Sequence, residues 1–457
     1  MPVKNKEFPV VRKVQKKGPS KGEKTRQRIL RAARKVFTTT SFRAAGIRMI
    51  AEEAGVRHPL VLHYFKSKTA LFEAVVSEIQ DEILEGHPDF FNHLRTLGAD
   101  KRKALYLDGI FRQGLRSPDA YQVMLLNAVE VAAPDRPLPG LDRMVKIHER
   151  LLSLVSENVL EAAPKTETAM FMHVFTLVAV HFIGGRAFHR KALGLYDHAE
   201  YDAWVRQTVE GLFKPVLEAV PKGRPPFLAD YMSRWPGKQE AYTPPAEKEM
   251  RGKHLRRGEI TKKRIIAAAL KVFGAHPYDQ ATIRMIGKAG NFDYSRIHHF
   301  FPTKASLFEA VIQDTFKEFL DTIESWQEGV AGMAPEEVFI HYLQKGLAYC
   351  FENRDAAGMT VINIAHYDRY KDVSGFRFMV RVHSNMLKLV EQSVPPNISP
   401  DEVNRWLYTI VMVGYSFAGA PGYPASLMNL DPYSGAYEKY IFETLCFVFI
   451  QSLMTAS

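Results

Sequence analysis

Residues 28–75 of this chain recur at 264–311, displaced by 236 positions without a gap. RILRAARKVF (28–37) returns as RIIAAALKVF (264–273), GIRMIAEEAG (46–55) as TIRMIGKAGN (282–291), and HYFKSKTALFEAV (63–75) as HFFPTKASLFEAV (299–311). A fainter echo lies further on, where FTLVAVHFIGG (175–185) resembles YTIVMVGYSFAG (408–419) at an offset of 233. A long fixed period makes each period one structural unit, so the chain folds as two related units of about 200 residues. Between them, residues 221–258 are rich in Pro, Gly and charge and read as a linker.

Charge placement narrows the partner. The formal net charge is +11, and residues 1–35 hold 13 Lys or Arg against Glu7 and Glu23, which is 13 − 2 = +11. The remaining 422 residues therefore sum to zero. A cationic arm on a neutral body points to a polyanion such as nucleic acid. Cys350 and Cys446 make no disulfide framework and suit a reducing compartment, so a cytoplasmic location is expected. No run of 18 apolar residues occurs, so no membrane contact is expected. No apolar segment follows the basic N-terminus, so no secretory signal is expected either.

Each repeat opens with an amphipathic helix. Ile29, Ala32, Ala33, Val36 and Phe37 fall on one face of a 3.6-residue period, as do Ile265, Ala268, Ala269, Val272 and Phe273. A short helix follows over 47–54, with Gly46 or Thr282 at the N-cap position. Gly55 ends it in the left-handed conformation; the second unit offers Asn291 there, or Gly290 just before it. A third helix spans about 58–65 and 294–301. Val61, Tyr64 and Phe65 face inward, as do Ile297, Phe300 and Phe301. The outward face carries His58, Pro59, Leu62 and His63 in the first unit. In the second it carries Tyr294, Ser295, His298 and His299. Arg57 and Arg296 flank these faces. Pro59 sits in the first turn, where its missing N–H is harmless.

Helix, short helix, turn and short helix, ending in HYFKSK or HFFPTK before another amphipathic helix, resemble the N-terminal domain of the TetR family. The resemblance rests on IAEEAGV with VLHYFKSK, and on IGKAGNF with IHHFFPTK, covering about 50 residues of each unit. It implies an all-α fold of two TetR-like units, each a three-helix helix-turn-helix domain followed by a helical ligand and dimerisation domain. The boundaries become a basic flexible arm at 1–24, unit one at 25–220 with its helix-turn-helix at about 46–65, the linker at 221–258, and unit two at 259–457 with its helix-turn-helix at about 282–301. It further implies that the third helix of each unit enters the major groove of double-stranded DNA. His63 and His299 stand where the family often places a phosphate-contacting tyrosine. Lys68 and Lys304 stand where it places a phosphate-contacting lysine.

The two outward faces differ, so one chain paired with itself would read an asymmetric operator. The first face is poor in hydrogen-bond donors and suits thymine methyls. Helices at about 167–189, 199–220, 402–419 and 436–454 carry Phe171, Phe175, Phe182, Trp204, Trp406, Tyr415, Phe442 and Phe449. By the resemblance they form a four-helix interface. A linker of 38 residues reaches about 120 Å and gives an effective concentration on the order of millimolar. An intrachain pseudo-dimer is thus expected ahead of a homodimer of chains.

The resemblance also implies a small-molecule effector among the middle helices. Candidate pocket residues are Phe111, Tyr121, Met124, Asn127, His148 and His173 in unit one, and Tyr349, Met359, Asn363 and His366 in unit two. Further polar groups on those helices are Glu130, His181, His341 and His383. Their aromatic and methionine surroundings suit an apolar ligand. No catalytic motif, no cofactor motif and no metal-ligand spacing is present, and His298 and His299 are adjacent, a poor spacing for a shared metal. The expected function is a transcription regulator, a repressor released by its effector. The alternative is a constitutive or architectural DNA binder without one.

Overall fold

A computed structural model of the chain describes residues 20–85, 88–128, 138–161, 163–233, 257–326, 329–330, 332–391 and 399–456. Among the described residues all regular structure is helical, as the periodicity predicts. The first unit runs α1 (Lys21–Phe37), α2 (Ile47–Glu53), α3 (His58–Tyr64), α4 (Lys68–Glu85), α5 (Pro88–Arg95), α6 (Ala99–Arg116), α7 (Pro118–Ala128), α8 (Leu141–Asn158), α9 (Lys165–Ala179), α10 (Arg186–Ala192) and α11 (His198–Ala219). After α12 (Pro226–Ser233), the second unit runs α13 (Arg257–Ala275), α14 (Ile283–Gly290), α15 (Tyr294–Phe300), α16 (Lys304–Ser325), α17 (Pro335–Glu352), α18 (Arg354–Ala365), α19 (Tyr367–Tyr370), α20 (Ser374–Glu391), α21 (Pro400–Gly419), α22 (Gly422–Met428) and α23 (Gly435–Ala456). The repeat therefore extends well past the matching segments. Helices α6 and α7 reappear as α17 and α18 at the same offset of 236, and α8, α9 and α11 have their counterparts in α20, α21 and α23.

The stripe that defines α1 is its buried face: Ile29, Ala33 and Phe37 have no exposed surface, and Ala32 and Val36 very little. The equivalent stripe of α13 is buried in the same way. Helix α9 continues into a π-helical turn, Val180–Gly184. Gly184 makes that turn fit: a Cβ there would lie 2.6 Å from the carbonyl oxygen of Tyr121. The equivalent stretch of α21 is regular, so the echo at offset 233 conceals a local difference.

The two units pack on each other through α9, α11, α21 and α23, with α11 lying along α23. The aromatic residues expected at this boundary divide between two roles. Phe182 stacks on Tyr408 with ring centroids 6.2 Å apart, and Trp204 meets Tyr408 edge-on. Phe171 and Phe175 instead pack inside unit one against Tyr106, Phe111 and Phe213. Residues 165–184 are long and apolar enough to cross a membrane by composition alone, with a mean hydropathy of 1.4, but 89% of that window is buried inside the protein. It is a core helix, and the count of uninterrupted apolar residues in the sequence had passed it over.

Two boundaries move. The expected arm at 1–24 lies outside the described residues except at its end, where Ser20 caps α1 and accepts from the Glu23 amide at 3.1 Å. The expected linker is structured in its first third. Arg224 donates to Glu167 at 2.8 Å and to Glu443, Leu228 and Met232 are buried, and the Tyr231 hydroxyl donates to Gln344 at 2.9 Å. Helix α12 is thus a strap fastening unit one to unit two, and residues 234–256 lie outside the description.

Candidate nucleic-acid interface

In each unit the third helix is held from below and bare on top. Val61 and Ile297 are fully buried and Phe65 and Phe301 nearly so. Tyr64 and Phe300 are half-buried. Basic residues of the first helix brace the far end: Arg26 lies 5.0 Å over the Phe65 ring and Lys262 5.8 Å over Phe301, a matched pair at the repeat offset. Asn291 closes α14 at φ 56°, the left-handed conformation, and Gly55 takes φ 60° at the same place in unit one. Asp293 and Arg57 both occupy N-cap positions without a side-chain capping bond.

Arg57, His58, Pro59, Leu62 and His63 are all exposed, as are Tyr294, Ser295, Arg296, His298 and His299. Each set lies on one side of its helix with its flanking arginine. The two faces differ in form as well as in composition. Tyr294, 60% exposed, meets His298 edge-on with centroids 5.0 Å apart, which fixes two rings one turn apart. The aligned His58 and Leu62 offer an imidazole and an apolar tip, with Leu60 also exposed beside them. A large apolar residue open to water on a helix of this kind suits contact with base methyl groups.

The two lysines are tied to their own modules. Lys68 donates to the carbonyls of Arg43 and Ala45 at 3.3 and 2.9 Å and lies 4.6 Å over the Phe42 ring. Lys304 donates to the carbonyls of Tyr278 and Ala281 at 2.7 and 3.1 Å and lies 4.3 Å over the Tyr278 ring. Each pins the start of the fourth helix to the loop after the first, a structural duty beside the phosphate contact that the resemblance implies. Sequence reasoning passed over Arg48 and Arg284. Both are exposed in the first turn of the second helix, at the offset of 236, so the repeat itself was the signal that marks them.

The expected pocket residues do not form one cavity in either body. In unit one, Met124 and Asn127 line a space of about 10 Å³ and Tyr121 lines another of about 40 Å³. The first is no larger than the roughly 10–15 Å³ that a single water molecule needs. Asn127 instead accepts from the Phe42 amide at 2.8 Å and donates to the Val123 carbonyl, tying α7 to the helix-turn-helix loop. Phe111 is core. His148 and His173 stack 5.2 Å apart, and His173 reaches Tyr440 at 3.2 Å, so both belong to the boundary between units. In unit two, Tyr349 and Met359 line a cavity of about 50 Å³ with Ile312, Phe319, Met379 and His383. Asn363 is buried beyond it, and His366 lines a different cavity of about 250 Å³. Glu130 lies outside the described residues. Among the described residues no three His, Cys, Asp or Glu side chains converge as metal ligands.

Comparison with known proteins accords with this geometry. The profile of the family described as bacterial regulatory proteins, tetR family, matches residues 29–75 and 265–311, which run from within the first helix through the second and third into the fourth in each unit. An uncharacterized HTH-type transcriptional regulator of Bacillus subtilis, YdgC, is 30% identical over 95 residues, covering 20% of this chain and 49% of that protein. The HTH-type transcriptional regulator UidR of Escherichia coli K12 is 32% identical over 65 residues, 14% of this chain and 33% of that protein. The alignments thus span half or less of each relative's length. The family's N-terminal segment is thus present twice and folded in both copies, so the chain carries two TetR-type helix-turn-helix domains in tandem.

Proposed function

We propose that the chain is a sequence-specific DNA-binding transcription regulator, a repressor in which two non-identical helix-turn-helix units, paired within one polypeptide, read an operator with dissimilar half-sites. The observation that carries this reading is the pair of exposed, chemically different faces of α3 and α15 on matched scaffolds. A two-fold dimer presents identical faces and reads a palindrome; here the Tyr294–His298 ring pair opposes His58 and Leu62. Footprinting on a selected operator with base substitutions in each half tests it. Matched substitutions should act unequally in the two halves, and equal effects would defeat the reading.

The effector side of the proposal centres on unit two. Its mid-helix cavity is walled by α16, through Ile312, Thr315, Phe316 and Phe319. The same helix begins at Lys304, fastened to the helix-turn-helix loop. An apolar molecule that enlarges the cavity displaces α16 and with it α15. Nε2 of His383, buried and without a hydrogen-bond partner, offers the ligand one polar anchor. The space beside Tyr121 in unit one is of similar size, about 40 Å³, so it is the unpartnered His383 that favours an effector site in unit two. A constitutive DNA binder remains the second reading, supported by the small size of both mid-helix spaces. Ligand-dependent release from DNA separates the two.

A further inference from the structure

Helices α11 and α23 hold the same place in the two units, and a matched pair of bonds fixes their alignment. The Tyr201 hydroxyl donates to the Phe182 carbonyl at 2.7 Å, and Tyr437, 236 positions on, donates to the Phe417 carbonyl at 3.0 Å. In that register one face differs sharply between the two helices. Residues 441–450 of α23 are all buried, whereas Arg206, Gln207 and Glu210 of α11 are exposed. The counterparts of those three at the same offset are Phe442, Glu443 and Cys446. A helix polar on this face can meet water; one carrying Phe442 and Cys446 there needs a cover.

The cover is α12, which follows unit one in the chain and packs on α23. The Tyr231 ring meets Phe442 with centroids 5.9 Å apart, and its hydroxyl donates to Gln344 of α17. Burial, then the neighbouring Cys446, raises the Tyr231 pKa. Arg224, just ahead of α12, joins the two units: it donates to Glu443 of α23 and, at 2.8 Å, to Glu167 of α9, and both carboxylates are buried. The site therefore needs one unit of each kind, α23 beneath the strap and Glu167 beside it. A second copy of unit one offers the strap no such bed. At the positions of Gln344, Phe442 and Glu443 it carries Asp108, Arg206 and Gln207, and Asp108 is already paired with Arg112. Laying α12 there would take Arg206 and Glu210 out of water beneath an apolar helix, with no carboxylate in the place of Glu443 for Arg224.

We propose that Arg224 and α12 form a partner selector: they admit one unit of each kind to the shared boundary and reject a pair of like units. The asymmetry of the paired units is then written into the boundary itself and does not depend on the tether between them. Selection of this kind works as much by what the wrong partner would bury as by what the right one gains. The inference rests on the pairing within one polypeptide proposed above, and not on what the helix-turn-helix units bind.

The test uses the full chain with a site for a sequence-specific protease inserted between Gln239 and Glu240 and cut after folding. Cut chains of light and heavy isotope content are mixed in urea just below the unfolding midpoint, where partners exchange, then returned to buffer and read by native mass spectrometry. Every exchanged complex should hold one of each unit, with like pairs at least about fivefold below their random share. In the cut Leu228→Asp chain, which loosens the strap, like pairs should rise toward that share. On the uncut chain, Cys446 should react with a thiol reagent at least about tenfold faster in Leu228→Asp than in the parent, while Cys350, which lines the mid-helix cavity, keeps its rate. Like pairs at their random share in the parent, halves that separate on cutting and form no pairs, or an unchanged Cys446 rate would each overturn the inference. Circular dichroism verifies folding, and Arg224→Met replaces Leu228→Asp with the same expectations should that variant not fold. Operator binding is measured separately on the intact chain, so failure of the DNA reading and failure of this one are distinguishable.

Discussion

Nδ1 of His189 and the hydroxyl of Tyr408 share a hydrogen bond of 2.7 Å across the boundary between the two units, with both side chains buried. His181 and Ser416 make a second such bond at 2.5 Å, and His173 and Tyr440 a third at 3.2 Å. In an apolar boundary these pairs fix register, because sliding one bundle along the other strands each group without a partner. The imidazoles are held neutral. Burial pushes His148 and His181 down to about 4; burial and the neighbouring His148 push His173 to about 3. Burial, then His181 and His383, hold His189 well below the ordinary range.

Acid should therefore loosen the protein. The unfolded chain takes up protons near 6.5 while the folded chain resists until about 4. Stability is full above pH 6.5 and declines between those values. At pH 5 a single histidine of this kind costs about 2 kcal/mol by linkage. The urea midpoint should fall steadily from pH 7.5 to pH 5, with a slope of more than one proton. A midpoint unchanged over that range would show that these imidazoles titrate normally in the folded state.

Replacing Lys304 by Met should destabilise the protein in the absence of DNA. The ammonium serves two carbonyls of the helix-turn-helix loop, and burial lowers its pKa against the pull of Asp279. Removing it leaves acceptors unpaired at a cost of about 1–3 kcal/mol. A lysine that only touched phosphate would leave the melting temperature alone and reduce the salt dependence of DNA binding. A thermal melt of the free variant decides between the two.

What the sequence made legible follows from period. Helix faces that repeat every 3.6 residues, such as Ile29 to Phe37, announce their burial, and an offset held over 48 residues announces the duplicated module. The exposed faces of α3 and α15 follow once Val61 and Ile297 are placed in the core. Side-chain destinations across long sequence distances have no such signal. His148, His173, Lys68 and Asn127 look alike in sequence whether they line a pocket, touch phosphate or tie elements together, because the partner that decides the role is tens or hundreds of residues away. The strap at 224–232 was hidden for a different reason: its Pro- and Gly-rich flanks outweigh one short apolar helix.

A single methyl group on Gly419 should damage unit two. The last residue of α21 abuts α18 so closely that a Cβ would lie 2.1 Å from the Gly358 amide nitrogen, and Gly358 in turn crowds the Gly274 carbonyl at the end of α13. Three helices, from the unit boundary to the helix-turn-helix module, thus meet through glycine backbones that have no room to yield. Gly419→Ala should lower stability by about 1–3 kcal/mol or more, as overpacking does. Gly211→Ala, in the middle of α11 with open space around it, should be neutral or stabilising by about 0.5–1 kcal/mol. Equal urea midpoints for the two variants would rule out the close-packed contact.

Arg369 should govern half-site spacing while contributing little to stability. Its guanidinium pairs with Asp279 of the second module at 3.1 Å and donates to Thr40 of the first at 3.5 Å, so one side chain of the body touches both helix-turn-helix modules. The group is 40% exposed, and pairs of that kind are worth about 1 kcal/mol or less. Arg369→Ala should therefore melt within a few degrees of the parent. Its effect falls on geometry: without the bridge the modules adopt a wider range of separations, so affinity for the preferred operator drops while operators lengthened or shortened by one base pair are rejected less strongly. Gel retardation over such a spacing series reads the ratio directly. If the variant loses affinity equally for every spacing, Arg369 acts on charge or folding and not as the spacer between the two modules.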